Sequence, residues 1–572
     1  MDTDATLSRR PARRFWGWGR ADSTLDAREQ AIVRAMVASV GAAWDDRPAP
    51  RVEDFALPAP RIQPPASLAA RCSATPLDRL NHSGGKGYAD LARMWMRRPP
   101  ATPDWVAYPE DEQGVVDVLD WAQSANVAVV PYGGGSSVCG GVEPAVGDGY
   151  AGTVSLDLER LQRVLDVDPV SRAARIQGGA LGPELAAQLK PHGLTLRHFP
   201  QSFEFSSLGG WIATRAGGHY ATLHTHIDDF VECVRLVTPA GTLQTRRLPG
   251  SGAGPAPDRL VIGSEGTLGV ITEAWVRVQT PPRFRASASV QFDDYLAAVR
   301  CTRALSQSGL HPSNCRLLDP LETVFSGVGN GQAAILVLAF ESDDHPLQPW
   351  MERALQLTGD HGGRHDAAAV ARSMAAEGST EHRSGAAGAW RDAFLRMPYW
   401  RDPAVGLGVI MDTFETAVTW DRFEAFYAGV KADVAAAMQR VTGQPARLSC
   451  RFTHLYPDGP APYFTLATRA ADGNVASALT AWREIKLAAN AAVVAHGGTI
   501  THHHAVGRDH RDGYEREVDP LFRRMLSAAK QVTDPRGIMN PGVLVDTTER
   551  PIGRTGVLAD GANRQGNAGV RT

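Results

Sequence analysis

The chain has 572 residues, of which 43% are hydrophobic, 7% aromatic and 21% charged. At roughly 100–200 residues per domain this is more than one unit, with the composition of a globular protein that can bury a large core. Lys plus Arg number 59 and Asp plus Glu 62, a net charge of −3 that argues against a general nucleic-acid binder.

The six cysteines, Cys72, Cys139, Cys233, Cys301, Cys315 and Cys450, are scattered without a C-x-x-C pair. That speaks against a disulfide framework or a zinc ribbon. The basic N-terminus lacks the apolar run of a secretory signal, and no apolar stretch approaches the about 18 residues of a membrane span. The expectation is a cytoplasmic protein whose only membrane contact would be peripheral.

Residues 1–97 read as an N-terminal arm with one helix over 24–44, capped by Ser23. The stretch 47–65 is proline-rich and extended. Trp16 and Trp18 stand among Arg13, Arg14 and Arg20. They suit an interfacial membrane contact, or packing of the arm onto the body; the short apolar patch favours packing. From Asp104 strands and helices alternate. A strand over 105–108, an amphipathic helix over 110–125 and an apolar strand over 127–131 run into Gly133, Gly134 and Gly135. Strands through Val154, Leu156, Val164 and Val167 follow, then Gly209 and Gly210, then strands in 230–237 and 259–278. This completes an α/β unit over 98–283. A second sheet-plus-helix domain spans 284–505. Its strands fall at 290–292, 334–340, 409–414, 447–453 and 463–467, and its helices at 294–308 and 421–441. Residues 359–388 read as a loop or a weak helix, 506–546 as a C-terminal segment returning to the first domain, and 547–572 as a disordered tail.

The segment Pro131, Tyr132, Gly133, Gly134, Gly135, Ser136, Ser137 follows a strand. Its glycines allow close backbone approach, and successive N–H groups form an anion nest suited to a diphosphate. It is neither a G-x-G-x-x-G turn opening a helix nor a Walker loop. Two further loops follow, PQSFEFSSLGGWIATRAGG over 200–218 and GSEGTLGVITE over 263–273. Taken in this order, the three segments resemble the vanillyl-alcohol oxidase family of FAD-binding flavoproteins, most of all its alkyldihydroxyacetonephosphate synthases, over most of the chain. The resemblance implies an α+β fold, with a two-subdomain FAD-binding domain and an α/β cap domain for the substrate. It places Pro131 to Ser137 around the diphosphate. Pro200, Gln201, Ser202, Phe203, Glu204, Phe205 and Ser206, then Ala213, Thr214, Arg215 and Ala216, would surround the ribityl chain and isoalloxazine. Glu265, Gly266, Thr267, Leu268, Gly269, Val270 and Ile271 would lie near the adenine half. The first loop offers Tyr132, Ser136, Ser137 and Cys139 but no histidine linker, so noncovalent FAD is expected. His198 would face the flavin or serve structurally.

The run His502, His503, His504 is open to three readings. On a strand, His502 and His504 would share a face. With His510, Asp509 and Asp512 nearby the run could bind a metal, it could be an exposed loop, or it could do acid–base work near neutral pH. THHHAVG resembles the triple-histidine active-site motif of the synthases, with Ala505 in place of glycine. In the same way Tyr463 falls on their catalytic tyrosine. Its reference pKa of about 10 calls for help from cations or a relay. Arg401 falls on their phosphate-binding arginine, with Arg391 and Arg396 as substitutes if the alignment slips, and Arg316 on a supporting arginine. The implied reaction exchanges the acyl group of acyl-dihydroxyacetone phosphate for a long-chain alcohol, in a homodimer with peripheral membrane contact. The runner-up is an FAD-dependent 2-hydroxy-acid dehydrogenase, whose terminal D-P…N-P-G motif DPRGIMNPG (534–542) resembles. A flavin-binding protein without catalysis is a third reading, opposed by Arg401, Tyr463 and the histidines.

Overall fold

The strand Val127–Tyr132 is buried at five of six positions, as a strand covered on both faces must be. In the computed structural model, which describes residues 6–374 and 385–547, it pairs in parallel with Gly152–Asp157, and that strand pairs in parallel with Trp105–Ala107. The short Cys72–Ser73 completes the sheet in antiparallel sense. Between Trp105–Ala107 and Val127–Tyr132 runs the helix Glu112–Ala125. Asp111 caps its start by accepting from Gly114 N at 2.8 Å, and Asn126 ends it in the left-handed conformation. A second, five-stranded antiparallel sheet orders Val164–Asp168, Ala173–Gln177, Val270–Arg277, Val231–Thr238 and Gly241–Gln244. Helices Gly182–Leu189 and Leu208–Thr214 pack their apolar side chains against it.

The third sheet has seven antiparallel strands, in the order Arg364–His365, Phe284–Phe292, Ala334–Ser342, Asn314–Leu318, Arg447–Leu455, Pro460–Arg469, Val409–Glu415. Its period of two sorts the side chains. Ile410, Phe414, Cys450, Phe452, Phe464 and Leu466 join one core with the helices Phe423–Thr442 and Val475–Ala495. Their neighbours Thr413, Arg451, Thr453, Tyr463 and Thr465 line a cavity on the opposite face. The two-subdomain cofactor domain and the α/β cap are therefore both present.

Several details depart from the sequence reading. The N-terminal helix is Ala27–Ser39, not 24–44, because Asp26 rather than Ser23 caps it. Asp26 accepts from Glu29 N at 2.8 Å and Glu29 accepts from Asp26 N at 3.0 Å, a closed capping box. Trp18 is buried against Phe205, and Trp16 packs edge-on to Trp95. The tryptophans therefore fasten the arm to the body instead of meeting a membrane. Helices Tyr88–Trp95, Gly385–Val405 and Val475–Ala495 and the strand Asn314–Leu318 went unread. Within 359–388 a helix occupies Ala367–Met374. The tail expected over 547–572 lies, apart from Thr547, outside the described residues. Among the described residues, no helix is long and apolar enough to cross a membrane.

Candidate active site

The glycine loop enters the space between the two domains directly from the strand Val127–Tyr132. All seven residues from Pro131 to Ser137 line the cavity there. Among the described residues, the N–H groups of Gly134, Gly135, Ser136 and Ser137 meet no protein acceptor. Gly135 takes φ +67°, a conformation open to glycine. These unpaired donors, with the cation Lys86 beside them and no carboxylate in the loop, fit a diphosphate. Pro200, Gln201, Ser202, Ser206, Ala213, Thr214, Ala216, Glu265, Gly266, Gly269, Val270 and Ile271 continue the lining. The residues present thus fit FAD.

The C-terminal segment ties these loops together. Asp534 accepts from Ile538 N at 3.0 Å, Met539 N at 2.8 Å and Lys530 Nζ at 3.0 Å, turning the chain back on itself. Asn540 then donates to Gly141 O and Glu265 O. The D-P…N-P-G motif is therefore a clasp on the cofactor loops.

On the cap side, the histidine run is a loop and not a strand. Glu415, the last residue of Val409–Glu415, accepts from Thr501 Oγ1 at 2.5 Å, His502 N at 2.6 Å, His503 N at 3.2 Å and His504 N at 2.9 Å. Three consecutive N–H groups converging on one carboxylate preclude the alternation of a strand. His503 and His504 line the cavity, whereas His502 does not. The expected shared face of His502 and His504 is thus replaced by one of His503 and His504. His502 sits behind them, with Nε2 2.7 Å from the Tyr456 hydroxyl and Nδ1 3.0 Å from His503 Nδ1. His454, His502 and His503 bring ring nitrogens within 4.8 Å of one another. The nitrogens of His454 and His502 are engaged, those of His454 with Gly218 O at 3.0 Å and Thr453 Oγ1 at 3.1 Å, so the cluster forms a hydrogen-bonded network. His510, offered earlier as a metal ligand, turns Nδ1 to Ala505 O at 2.8 Å.

Tyr463 pairs across the sheet with Glu415 and donates to Thr413 Oγ1 at 2.9 Å. The Arg451 guanidinium lies 3.8 Å from its ring centroid. Burial pushes the phenol up from its ordinary pKa, and Arg451 and Thr413 only partly offset this. The expected assistance from cations is present but outweighed. Burial also pushes His503 down to about 3 and His504 to about 4, so both rings are neutral at pH 7. Arg401 projects from the helix Gly385–Val405. Its NH2 donates to Lys86 O at 2.6 Å, and its buried Nε has no protein partner. Lys86 Nζ donates to Arg14 O and Phe15 O, and burial, with Arg13, lowers its pKa to about 8. Arg396 pairs with Glu29 at 2.5 Å and is not free to replace Arg401. The side chain of Arg391 lies outside the described residues.

The FAD binding domain family matches residues 103–246, and the family of FAD linked oxidases, C-terminal domain, matches 281–544. The alkyldihydroxyacetonephosphate synthase of Trypanosoma brucei brucei is 30% identical over 82% of this chain and 77% of its own length. That of Dictyostelium discoideum is 29% identical over 91% of this chain and 87% of its own. This chain belongs to the FAD-linked oxidase family. It is an alkyldihydroxyacetonephosphate synthase-like FAD-linked oxidase, and the fold extends further than that likeness. A solved alkyldihydroxyacetonephosphate synthase superposes with TM-score 0.74 at 24% identity, covering 92% of this chain and 98% of that one. p-Cresol methylhydroxylase reaches 0.62 at 13% identity over 92% and 98%. Mitochondrial D-lactate dehydrogenase (cytochrome) 1 of Saccharomyces cerevisiae is 27% identical over 78% of this chain and 73% of its own.

Within this FAD-linked oxidase some expected cofactor contacts point elsewhere. Phe203 stacks on Trp211, Glu204 accepts from Tyr399, and Phe205 packs on Trp18. Arg215 pairs with Asp228, Thr267 bonds Ser264 O, and Leu268 joins the core. None of these six lines the cavity, because part of each loop must anchor it to the body. The Glu265 side chain accepts from Val506 N and Gly507 N. Arg316 lines the cavity and donates to His219 O. His198 does not line it; 1% exposed, it packs edge-on to Trp211 and Phe230, and neither ring nitrogen has a partner. Burial pushes its pKa down to about 3, against about 6.5 unfolded. Below pH 6.5 the unfolded chain takes up a proton that the folded ring refuses, so this group lowers stability as pH falls. His198→Leu should therefore gain about 2 kcal/mol over wild type between pH 8 and pH 5, at about 1.4 kcal/mol per pH unit, in denaturant unfolding at the two pH values.

Proposed function

We propose that this protein exchanges the acyl group of an acyl-dihydroxyacetone phosphate for a long-chain alcohol, giving an ether lipid precursor, with noncovalent FAD. One observation carries the reading: Arg401, whose buried Nε has no protein partner, lines the cavity with Lys86 beside it. Two cations suit a phosphate dianion better than a single carboxylate. The neighbouring wall is apolar, with Trp18, Met36, Phe394 and Met397, and suits an alkyl chain. When bound, FAD would supply an electrophilic holder for the substrate carbon. Arg401 and Lys86 would bind the phosphate. Tyr463, already protonated, accepts the substrate proton only as it passes its own on. His503 and His504, neutral by burial, stand beside it as acceptors.

A 2-hydroxy-acid dehydrogenase is the second reading, favoured by the likeness to the yeast D-lactate dehydrogenase. The terminal motif gives it no added weight, since Asn540, the motif residue that lines the cavity, clasps the cofactor loops through Gly141 O and Glu265 O.

Competition separates the two. Dihydroxyacetone phosphate and inorganic phosphate should inhibit the wild type. They should inhibit Arg401→Lys much less, because the bidentate fork is gone. In Arg401→Ala the lost charged hydrogen bond should cost about 1.5–3 kcal/mol of binding. Lactate and glycolate should neither inhibit nor bleach the flavin anaerobically. Bleaching by either would favour the dehydrogenase.

A further inference from the structure

Among the described residues, Glu415 is the one that touches every member of the histidine run, and it was invisible as a site residue in the sequence. It is fully buried and takes four donors from residues 501–504. Beyond those backbone contacts, its Oε2 lies 3.4 Å from His503 Nδ1 and its Oε1 3.7 Å from His504 Nδ1. We propose that Glu415 is a positioning residue that keeps the proton of His503 on Nδ1, leaving Nε2 as the atom that receives a proton during turnover.

The argument starts from donor and acceptor inventory. An ionised carboxylate can only accept, so a ring nitrogen facing it is favoured when it carries hydrogen. His503 Nδ1 also faces His502 Nδ1 at 3.0 Å, a contact that holds one hydrogen between the two rings, and the carboxylate 3.4 Å away favours its placement on His503. The other nitrogen of a neutral imidazole is then the lone-pair atom. Burial opposes a charge on Glu415, but the imidazoles and the Thr501 hydroxyl more than offset it, and its carboxyl is held well below the usual range. The carboxylate is thus ionised while the ring is neutral.

The surrounding charges single out Glu415 as the counter-charge. Arg316 is the permanent cation near His503 and opposes a positive ring there, whereas Glu415 favours one. Lys486 opposes a positive ring at His504 in the same way; Asp412 is the other acid, and it lies 3.8 Å from Lys486. An imidazolium at His503 therefore depends on Glu415.

The proposal rests on the acyl-exchange reading only for the origin of the proton. The substrate C–H bond breaks, its electron pair staying with carbon, and the proton goes to the Tyr463 oxygen. The proton already on Tyr463 goes to His503 Nε2. Both transfers reverse in the product-forming step, so no proton or electron is gained.

The test that needs no substrate is histidine-selective 15N NMR of the purified holoenzyme, with the His503 signals identified by their loss in His503→Gln. The Nδ1–H tautomer is expected in the wild type. An Nε2–H tautomer there would overturn the proposal and leave the acyl-exchange reading untouched. In kinetics, Glu415→Gln should keep its flavin and KM while kcat falls about 10²-fold or more, with part recovered in Glu415→Asp. His503→Gln should lose as much, and the double variant no more than either, because the two act as one unit. Additive losses, or a Glu415→Gln enzyme with wild-type kcat, would overturn it. If Glu415→Gln does not fold, the wild-type tautomer decides.

Discussion

Gly134→Ala should yield a folded but nearly colourless protein. A Cβ at this position would overlap the Phe205 carbonyl and lie 2.8 Å from Ser206 Cα. Backbone cannot yield as a flexible side chain can, so the 200–206 loop would be pushed off the glycine loop. The Gly134 carbonyl also accepts from Arg13 NH1, so the N-terminal arm would lose its hold as well. Both displaced loops line the cavity where FAD would lie. The expected outcome is loss of most bound flavin, read as absorbance per chain, with far-UV circular dichroism unchanged. In the wild type, acid precipitation should release the flavin into the supernatant, since the first loop carries no histidine. The charge of a larger residue is secondary here, because the protein backbone already fills the space where a side chain would begin. Normal flavin content in Gly134→Ala would remove this loop from the cofactor site.

Tyr463→Phe should keep its flavin and lose turnover by about 10²–10⁴-fold, the usual worth of a positioned proton-transfer group. The ring is held independently of its hydroxyl, by Arg451 above it and His503 stacked alongside at 5.9 Å. Packing should therefore survive, with thermal stability changing by no more than the single hydrogen bond to Thr413, about 1 kcal/mol. The checks are single-turnover kinetics and a melting curve on the same preparation. Retained turnover with lowered stability would make Tyr463 a core residue.

Much of this site could be read along the chain because its cofactor half is local. A strand ending in three glycines reports its own geometry, and the loops at 200–218 and 263–273 each carry their signal within a few residues. The cap half is assembled from residues far apart. Glu415 reaches His502 across 87 positions, and nothing in FETAVTWD marks its glutamate as an anchor for three backbone N–H groups. Without that anchor the histidines read as alternating strand residues, which placed His502 on the wrong side. Lys86 escaped notice for the same reason, and Trp18 was legible as a packing residue but not as a wall of the cavity, since only tertiary packing brings the arm there. The apolar and polar alternation of the cap strands was visible, but the polar face could be read as solvent-facing until the cofactor domain covered it. Tyr463 was legible by resemblance. The direction of its pKa was not, because burial is a property of the folded chain.

The most direct measurement of the central claim is product formation. Purified flavoprotein is incubated with palmitoyl-dihydroxyacetone phosphate and labelled hexadecanol, and the lipid extract is analysed for label in an alkali-stable ether. The account predicts an ether product that depends on both substrates and on Arg401 and Tyr463, with release of palmitate. Absence of that product from fully flavin-loaded protein, together with anaerobic bleaching of the same flavin by a 2-hydroxy acid, would contradict it.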